Sequence, residues 1–238
     1  MINELLWILL LAMSFTGIIL AYRFFGKTGL YVWTAMAIIV ANIQVMKTIQ
    51  IFGFVTALGN IIYGSTFLVT DILCENHDKK DARKAVWIGF FVLIALTVLM
   101  QICIAFVPSP EKLSIELSNS LNNIFSLLPR ITFASLSAYI ISQNFDVWFY
   151  NKIKEVTKGR FLWLRNNGST MVSQLLDNII FTYIAFVGLF GIFGWNQVFE
   201  WPIVISIFVT SYIMKWIVAA IDTPFLYFAK RMKKIVTD

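Results

Sequence analysis

The run RITFASLSAYIISQNFDVWF, residues 130–149, decides how this chain is read, together with its counterpart TMVSQLLDNIIFTYIAFVGLFGIF, residues 170–193. Each is an apolar segment of membrane-helix length that carries one Ser-Gln-x-x-Asp pattern. The first holds Ser142-Gln143-Asn144-Phe145-Asp146 and the second Ser173-Gln174-Leu175-Leu176-Asp177. A carboxylate at the centre of a membrane helix costs roughly 2.5–3.5 kcal/mol on insertion scales, so it faces a partner or a wet cavity rather than lipid. Gln and Asp three positions apart share one helix face, so each segment turns an amide and a carboxylate toward the same neighbour. Thr170 extends the second stripe, with Gln174 and Asp177 at i+4 and i+7. Two such surfaces suit a polar ligand; the alternative use of the same groups is an interhelical hydrogen-bond clamp.

The rest of the chain fits a membrane setting. With 59% hydrophobic and 13% charged residues and a mean hydropathy of +0.78, the 238 residues have too little polar surface for a water-soluble globule. Apolar runs of about twenty residues alternating with short charged loops indicate an all-α polytopic bundle, because barrel strands are nearer ten residues with dyad alternation. The net charge of +6 sits in loops, where it reads as a topology signal rather than a nucleic-acid surface. Cys74 and Cys103 lack metal or redox spacing, and His77, beside Asp78, reads as a solvated surface residue. No P-loop, HExxH or GxSxG motif occurs, so neither ATP hydrolysis within the chain nor an enzyme is expected, and no cofactor or metal is implied. The N-terminal apolar run carries Glu4 where a signal peptide is basic and reads as a retained helix.

Hydropathy places spans at Leu5–Tyr22, Gly29–Met46, Phe52–Leu73, Ala85–Val107, Arg130–Phe149, Thr170–Phe193 and Pro202–Phe228. With seven crossings, the basic groups Arg23/Lys27, Lys79–Lys84, Lys152–Arg165 and Lys230–Lys234 all fall on one side, leaving Lys47, Lys112 and Arg130 on the other. Flanking basic residues hold loops in the cytoplasm, which predicts the N-terminus outside and the C-terminus inside. Pro108–Pro129, rich in Ser and Asn, reads as an external loop, and Asn151–Gly168, with Trp163 and Arg165, as a basic amphipathic interfacial segment. Arg130 is expected to snorkel at its helix end. Gly53, Gly59 and Gly64, and later Gly188, Gly191 and Gly194, mark close packing or a loosened helix.

Further polar residues fall within the spans. Asn42 and Gln44 close the second, Asp71 lies near the end of the third, and Lys215 and Asp222 share roughly one face of the seventh, with Pro224 just beyond. A lysine too deep to snorkel needs a counter-charge, and Asp177, Asp222 and Asp146 are the available ones.

This ordered set resembles the queuosine precursor transporter family, of the YhhQ or VUT type. The resemblance is carried by Thr70-Asp71-Ile72, Arg130-Ile131, Ala134-Ser135, Ser142-Gln143-x-x-Asp146-Val147, Trp163-Leu164-Arg165 and Ser169-Thr170. It continues through Ser173-Gln174-x-x-Asp177-Asn178, Ile184-Ala185-Phe186, and Lys215 before Asp222-Thr223-Pro224. It covers about residues 30–230 and implies one transmembrane transporter domain over 1–238, with 1–25 as an extra N-terminal helix on a six-helix core at 29–229. Asn178 departs from the pattern, standing where a hydroxylated residue is common. The resemblance implies inner-membrane import of 7-deazaguanine bases, preQ-type bases or queuine, for salvage into tRNA, with a homo-oligomer left open. The expected substrate-binding set is Asn42, Gln44, Asp71, Gln143, Asp146, Gln174, Asp177, Lys215 and Asp222. A deazaguanine offers a ring N–H and an exocyclic amine beside a carbonyl, so Asp177 or Asp146 would accept the donors and Gln143, Gln174 or Asn42 would complete the edge. The alternatives are a substrate-binding membrane subunit of an ATP-driven vitamin or purine-like uptake system, and a structural membrane protein with polar clamps only.

Overall fold

The computed structural model describes residues 2–45, 47–51, 54–126, 128–188, 195–197 and 200–232. Its elements run in the order α1 (Ile2–Gln44), β1 (Thr48–Ile51), β2 (Phe54–Ala57), α2 (Asn60–Asn76), α3 (Lys79–Ala105), α4 (Lys112–Phe125), α5 (Leu128–Val156), α6 (Leu162–Thr182) and α7 (Trp201–Met232). A π-helical turn, Tyr183–Val187, continues α6. The expected residues Gly53, Gly191 and Gly194, the span limits Met46, Phe52 and Phe193, and Lys233 and Lys234 lie outside the described residues.

The 43-residue α1 is broken at Gly26, whose φ of 55° is open to glycine but strained for a side chain. The two limbs, 2–25 and 27–44, fold back on each other: Gly17 faces the Trp33 ring with no room for a Cβ. Asn3 at the start of α1 donates to the Gln50 carbonyl (3.0 Å), just past the helix's other end.

Among the described residues five helical stretches are long and apolar enough to cross a bilayer: Ile2–Gln44, Lys79–Ala105, Lys112–Val156, Leu162–Val187 and Val204–Met232. Their outer faces are apolar, as at Leu5, Met13, Phe91, Val98, Ile205 and Ile213, whereas the interior collects Ser, Thr, Asn, Gln and Asp. That inversion of the water-soluble pattern is what a lipid surroundings demands, and the chain is a multi-pass helical membrane protein.

Three segments differ from the sequence reading. Residues 52–59 were expected to open the third span; instead β1 and β2 pair as an antiparallel hairpin with Ile51 opposite Phe54, and the helix begins at Asn60. The region Pro108–Pro129 contains α4, whose exposed Leu113, Leu117 and Leu121 recur at four-residue spacing, the pattern of an amphipathic helix. The basic segment Asn151–Gly168 is mostly helical, because α5 continues to Val156 and α6 starts at Leu162.

At the centre stands α2, buried at every position from Gly64 to Asn76 and packed against α1, α3, α5 and α7. A helix surrounded on all sides needs no polar face toward solvent, so its Thr66, Thr70, Asp71 and Glu75 are free to serve the interior. Helices α5 and α6 run antiparallel in extensive contact, and α7 closes the bundle against α2 and α6.

A polar column between α2, α5, α6 and α7

The polar residues of these four helices stack along α2 from Tyr63 to Glu75, about 18 Å at 1.5 Å per residue. At the hairpin end lies a cavity of about 60 Å³ whose polar lining is Asn42, Asn60, Tyr63, Ser135, Asp177 and Lys215. That is room for roughly two water molecules. Lys215 and Asp177 form its charged floor: Nζ is 2.5 Å from Oδ2, and both side chains are about 5% exposed. Asp177 Oδ1 also accepts from the Tyr63 hydroxyl (2.6 Å) and from Ser142 Oγ (3.2 Å). Of the three aspartates available to Lys215 from sequence, Asp177 is its partner.

The two Ser-Gln-x-x-Asp patterns interlock. Ser142 of α5 donates to Asp177 of α6, while the Ser173 hydroxyl of α6, shared with the Ser169 carbonyl (2.6 Å), reaches Asp146 of α5 (2.9 Å). Antiparallel packing puts each serine level with the other motif's aspartate, so one local two-fold relation exchanges both bonds. The glutamines do not share it. Gln143 is held between helices, its Nε2 donating to Thr66 Oγ1 (2.9 Å), with Thr70 Oγ1 3.5 Å from its Oε1. Gln174 is fully buried, yet among the described residues neither its oxygen nor its nitrogen has a partner.

Below this crossing the column becomes acidic. Asp71, Asp146 and Asp222 are completely buried and lie within electrostatic reach of one another. Thr170 donates to Asp71 Oδ2 (3.4 Å), and Asn166 Nδ2 donates to Asp222 Oδ1 (2.8 Å). Among the described residues the second oxygen of each carboxyl, Asp71 Oδ1, Asp146 Oδ2 and Asp222 Oδ2, makes no hydrogen bond, nor does Asn166 Oδ1, although the Ser169 and Thr70 hydroxyls lie beside the Asp146 carboxyl.

The far end is tied shut. Glu75 of α2 receives Arg165 of α6 (2.5 Å), Lys230 of α7 (2.6 Å), the Tyr150 hydroxyl of α5 (3.1 Å) and, more loosely, Lys154 of α5 (3.6 Å). Arg165 also donates to the Gly159 and Arg160 carbonyls, so it is a fully buried structural cation and not part of an interfacial surface. His77 likewise is half-buried and bonded, with Nε2 3.2 Å from the Tyr22 hydroxyl. Arg130 caps the opposite end by reaching the Ile184 and Asn196 carbonyls and the Trp195 ring.

The structure therefore gathers Asp71, Gln143, Asp146, Gln174, Asp177, Lys215 and Asp222 into one column and places Asn42 at its mouth. Gln44, the last residue of α1, stands apart from the cavity lining. Tyr63, Asn166 and Glu75 are column residues that sequence reading missed. Tyr63, Thr66 and Thr70 fall at i, i+3 and i+7 just before Asp71, which is the signal that could have marked that face.

The sequence model of the family described as "Putative vitamin uptake transporter" matches residues 57–229, which hold the column below Asn42 except for Lys230. The chain belongs to this family. It is 42% identical over 233 residues to the "Probable queuosine precursor transporter" of Bacillus subtilis, covering 98% of this chain and 96% of the relative. It is 27% identical over 135 residues to the Haemophilus influenzae protein of the same description, 57% of this chain and 54% of that protein. The "Queuosine precursor transporter" of Escherichia coli is 29% identical over 147 residues, 61% of this chain and 62% of that protein. No solved structure matches significantly. The vitamin uptake transporter family is one of transporters and not of enzymes, and its member here is a multi-pass protein of the bacterial cell membrane.

Proposed function

We propose that this chain imports queuosine precursors, 7-deazaguanine bases, through the polar column, with Asp146 and Gln174 reading the base. The observation that carries this is a shortage of donors. Asp71 Oδ1, Asp146 Oδ2, Asn166 Oδ1, Gln174 Oε1 and Asp222 Oδ2 are buried acceptors without partners, against one unpartnered nitrogen in the set, Gln174 Nε2. Buried polar groups are normally bonded, and leaving them unmade is costly, so the column fits an occupant rich in N–H groups. The aminopyrimidinone edge of a deazaguanine is such an occupant. Its ring N–H and exocyclic amine suit Asp146, and its carbonyl suits the Gln174 amide nitrogen.

Asp177 was the other candidate for the donor edge, but Lys215, Tyr63 and Ser142 already occupy its oxygens. In this reading Asn42, Tyr63, Asp177 and Lys215 form the entrance, and the Glu75 cluster closes the exit. Gln143 positions α5 against α2. The long identity to the Bacillus subtilis relative supports the substrate class.

The membrane arrangement follows. The fold-back of α1 at Gly26 contributes two crossings, and α2, α3, α5, α6 and α7 contribute five, giving seven with the N-terminus outside and the C-terminus in the cytoplasm. The hairpin end with the cavity is then external, and Lys154, Arg165 and Lys230 lie at the cytoplasmic end. Residues 1–25 form the additional helix on a core at 29–229.

Counterflow in proteoliposomes holding the purified protein tests the substrate edge. Internal 7-deazaguanine should drive entry of labelled 7-aminomethyl-7-deazaguanine, and 7-deazaadenine, which lacks the ring N–H, should not. Equal exchange with both, or none with either, contradicts the assignment.

A further inference from the structure

Of the charged groups buried in the column, Lys215 is matched by Asp177, and Arg165, Lys154 and Lys230 converge on Glu75. Asp71 of α2, Asp146 of α5 and Asp222 of α7 lie between these two clusters with no cation bonded to any of them among the described residues. The other titratable groups facing them are Cys74 and Glu75 on α2 and Tyr150 on α5, none of which supplies positive charge. Three ionised carboxylates within electrostatic reach of one another in a low-dielectric interior would repel one another and leave oxygens without donors.

A second observation is independent of the acids. Asn166 spends the two N–H groups of its amide nitrogen on Asp222 and Thr223, and its buried oxygen finds no donor among the described residues. Gln174 shares a face of α6 with Thr170, which bonds Asp71, and follows Ser173, which bonds Asp146; its oxygen is also without a donor. Neutral amide oxygens need hydrogen-bond donors as much as carboxylates do. Protons on the carboxyls supply them, since a protonated Asp donates where an ionised one only accepts.

We infer that Asp71 and Asp222 carry protons that enter with the base, making this chain a proton-coupled importer. The inference rests on the reading of Asp146 as the base-binding carboxylate. An ionised Asp146 engaged with the N–H edge is tolerable only while its two acidic neighbours are neutral, so protonation and base binding favour each other. By linkage that reciprocity is the coupling. Opening of the Glu75 cluster exposes the site to the more alkaline cytoplasm, where loss of either proton weakens base binding and promotes release.

Two measurements test it. Infrared spectra of the purified, substrate-free protein at pH 7 should show a protonated-carboxyl C=O band, which weakens in Asp71→Asn and again in Asp222→Asn. No such band, or a band indifferent to both substitutions, overturns the inference whatever the substrate proves to be. In proteoliposomes clamped at zero membrane potential, an alkaline interior should concentrate labelled 7-aminomethyl-7-deazaguanine severalfold, and nigericin should abolish this. Accumulation driven by a sodium gradient instead, or simple equilibration despite the pH gradient, also overturns it. Failure of counterflow with every base would instead count against the substrate assignment, and the infrared result would still decide the protons.

Discussion

Lys215 Nζ lies 2.5 Å from Asp177 Oδ2 at the floor of the cavity, and both side chains are almost wholly removed from solvent. A buried pair is costly to break one partner at a time, because the survivor is left as an uncompensated charge, a loss of about 3–5 kcal/mol. Lys215→Met should therefore destabilise the protein strongly, and adding Asp177→Asn should recover most of the loss. Thermal unfolding in detergent measures both. Uptake should stay abolished in the double variant, because its entrance lacks charge.

The interlocked serines should not be equivalent. Ser142→Ala leaves Asp177 with Lys215 and Tyr63, whereas Ser173→Ala removes the hydroxyl that orients Asp146. A hydrogen bond to a charged group is worth about 1.5–3 kcal/mol, or roughly tenfold and upward in affinity. Half-saturation of base uptake should rise by that factor in Ser173→Ala and change little in Ser142→Ala.

At the Glu75 cluster the fully buried Arg165 matters more than its partners. Lys154 and Lys230 are 32% and 45% exposed, and solvent screens such pairs to about 1 kcal/mol or less. Glu75→Gln and Arg165→Lys should each lower the unfolding temperature markedly. Lysine cannot reproduce the fork that reaches Glu75, Gly159 and Arg160 together. Lys230→Ala should have a small effect.

How much of this was legible depends on the range of the interaction. The helical membrane bundle follows from apolar runs of membrane length, whereas the facing of Asp146 by Ser173 is set by the packing of α5 on α6. The partnership of Lys215 with Asp177 was narrowed to three candidates, since helix register fixes a face but not the neighbour across it. The hairpin at 48–57 was hidden because the apolar run continues through it into α2. Glu75 was missed, and Arg165 read as interfacial, because a pair ninety residues apart in the chain leaves no local pattern. The vacancy at Gln174 was invisible for a different reason. Sequence shows two identical Ser-Gln-x-x-Asp motifs, and only the packing of α2 decides that Gln143 is bonded to Thr66 and Gln174 to nothing.

The most direct test is queuosine content of tRNA in a host that cannot make the precursors and lacks its own importer, with this chain expressed and each deazaguanine base supplied at nanomolar concentration. The account predicts that the intact chain restores queuosine with at least one base, and that Asp146→Asn and Gln174→Leu, present in the membrane at normal abundance, do not. Restoration by both variants at the level of the intact chain, or no restoration by the intact chain with any base, would contradict it.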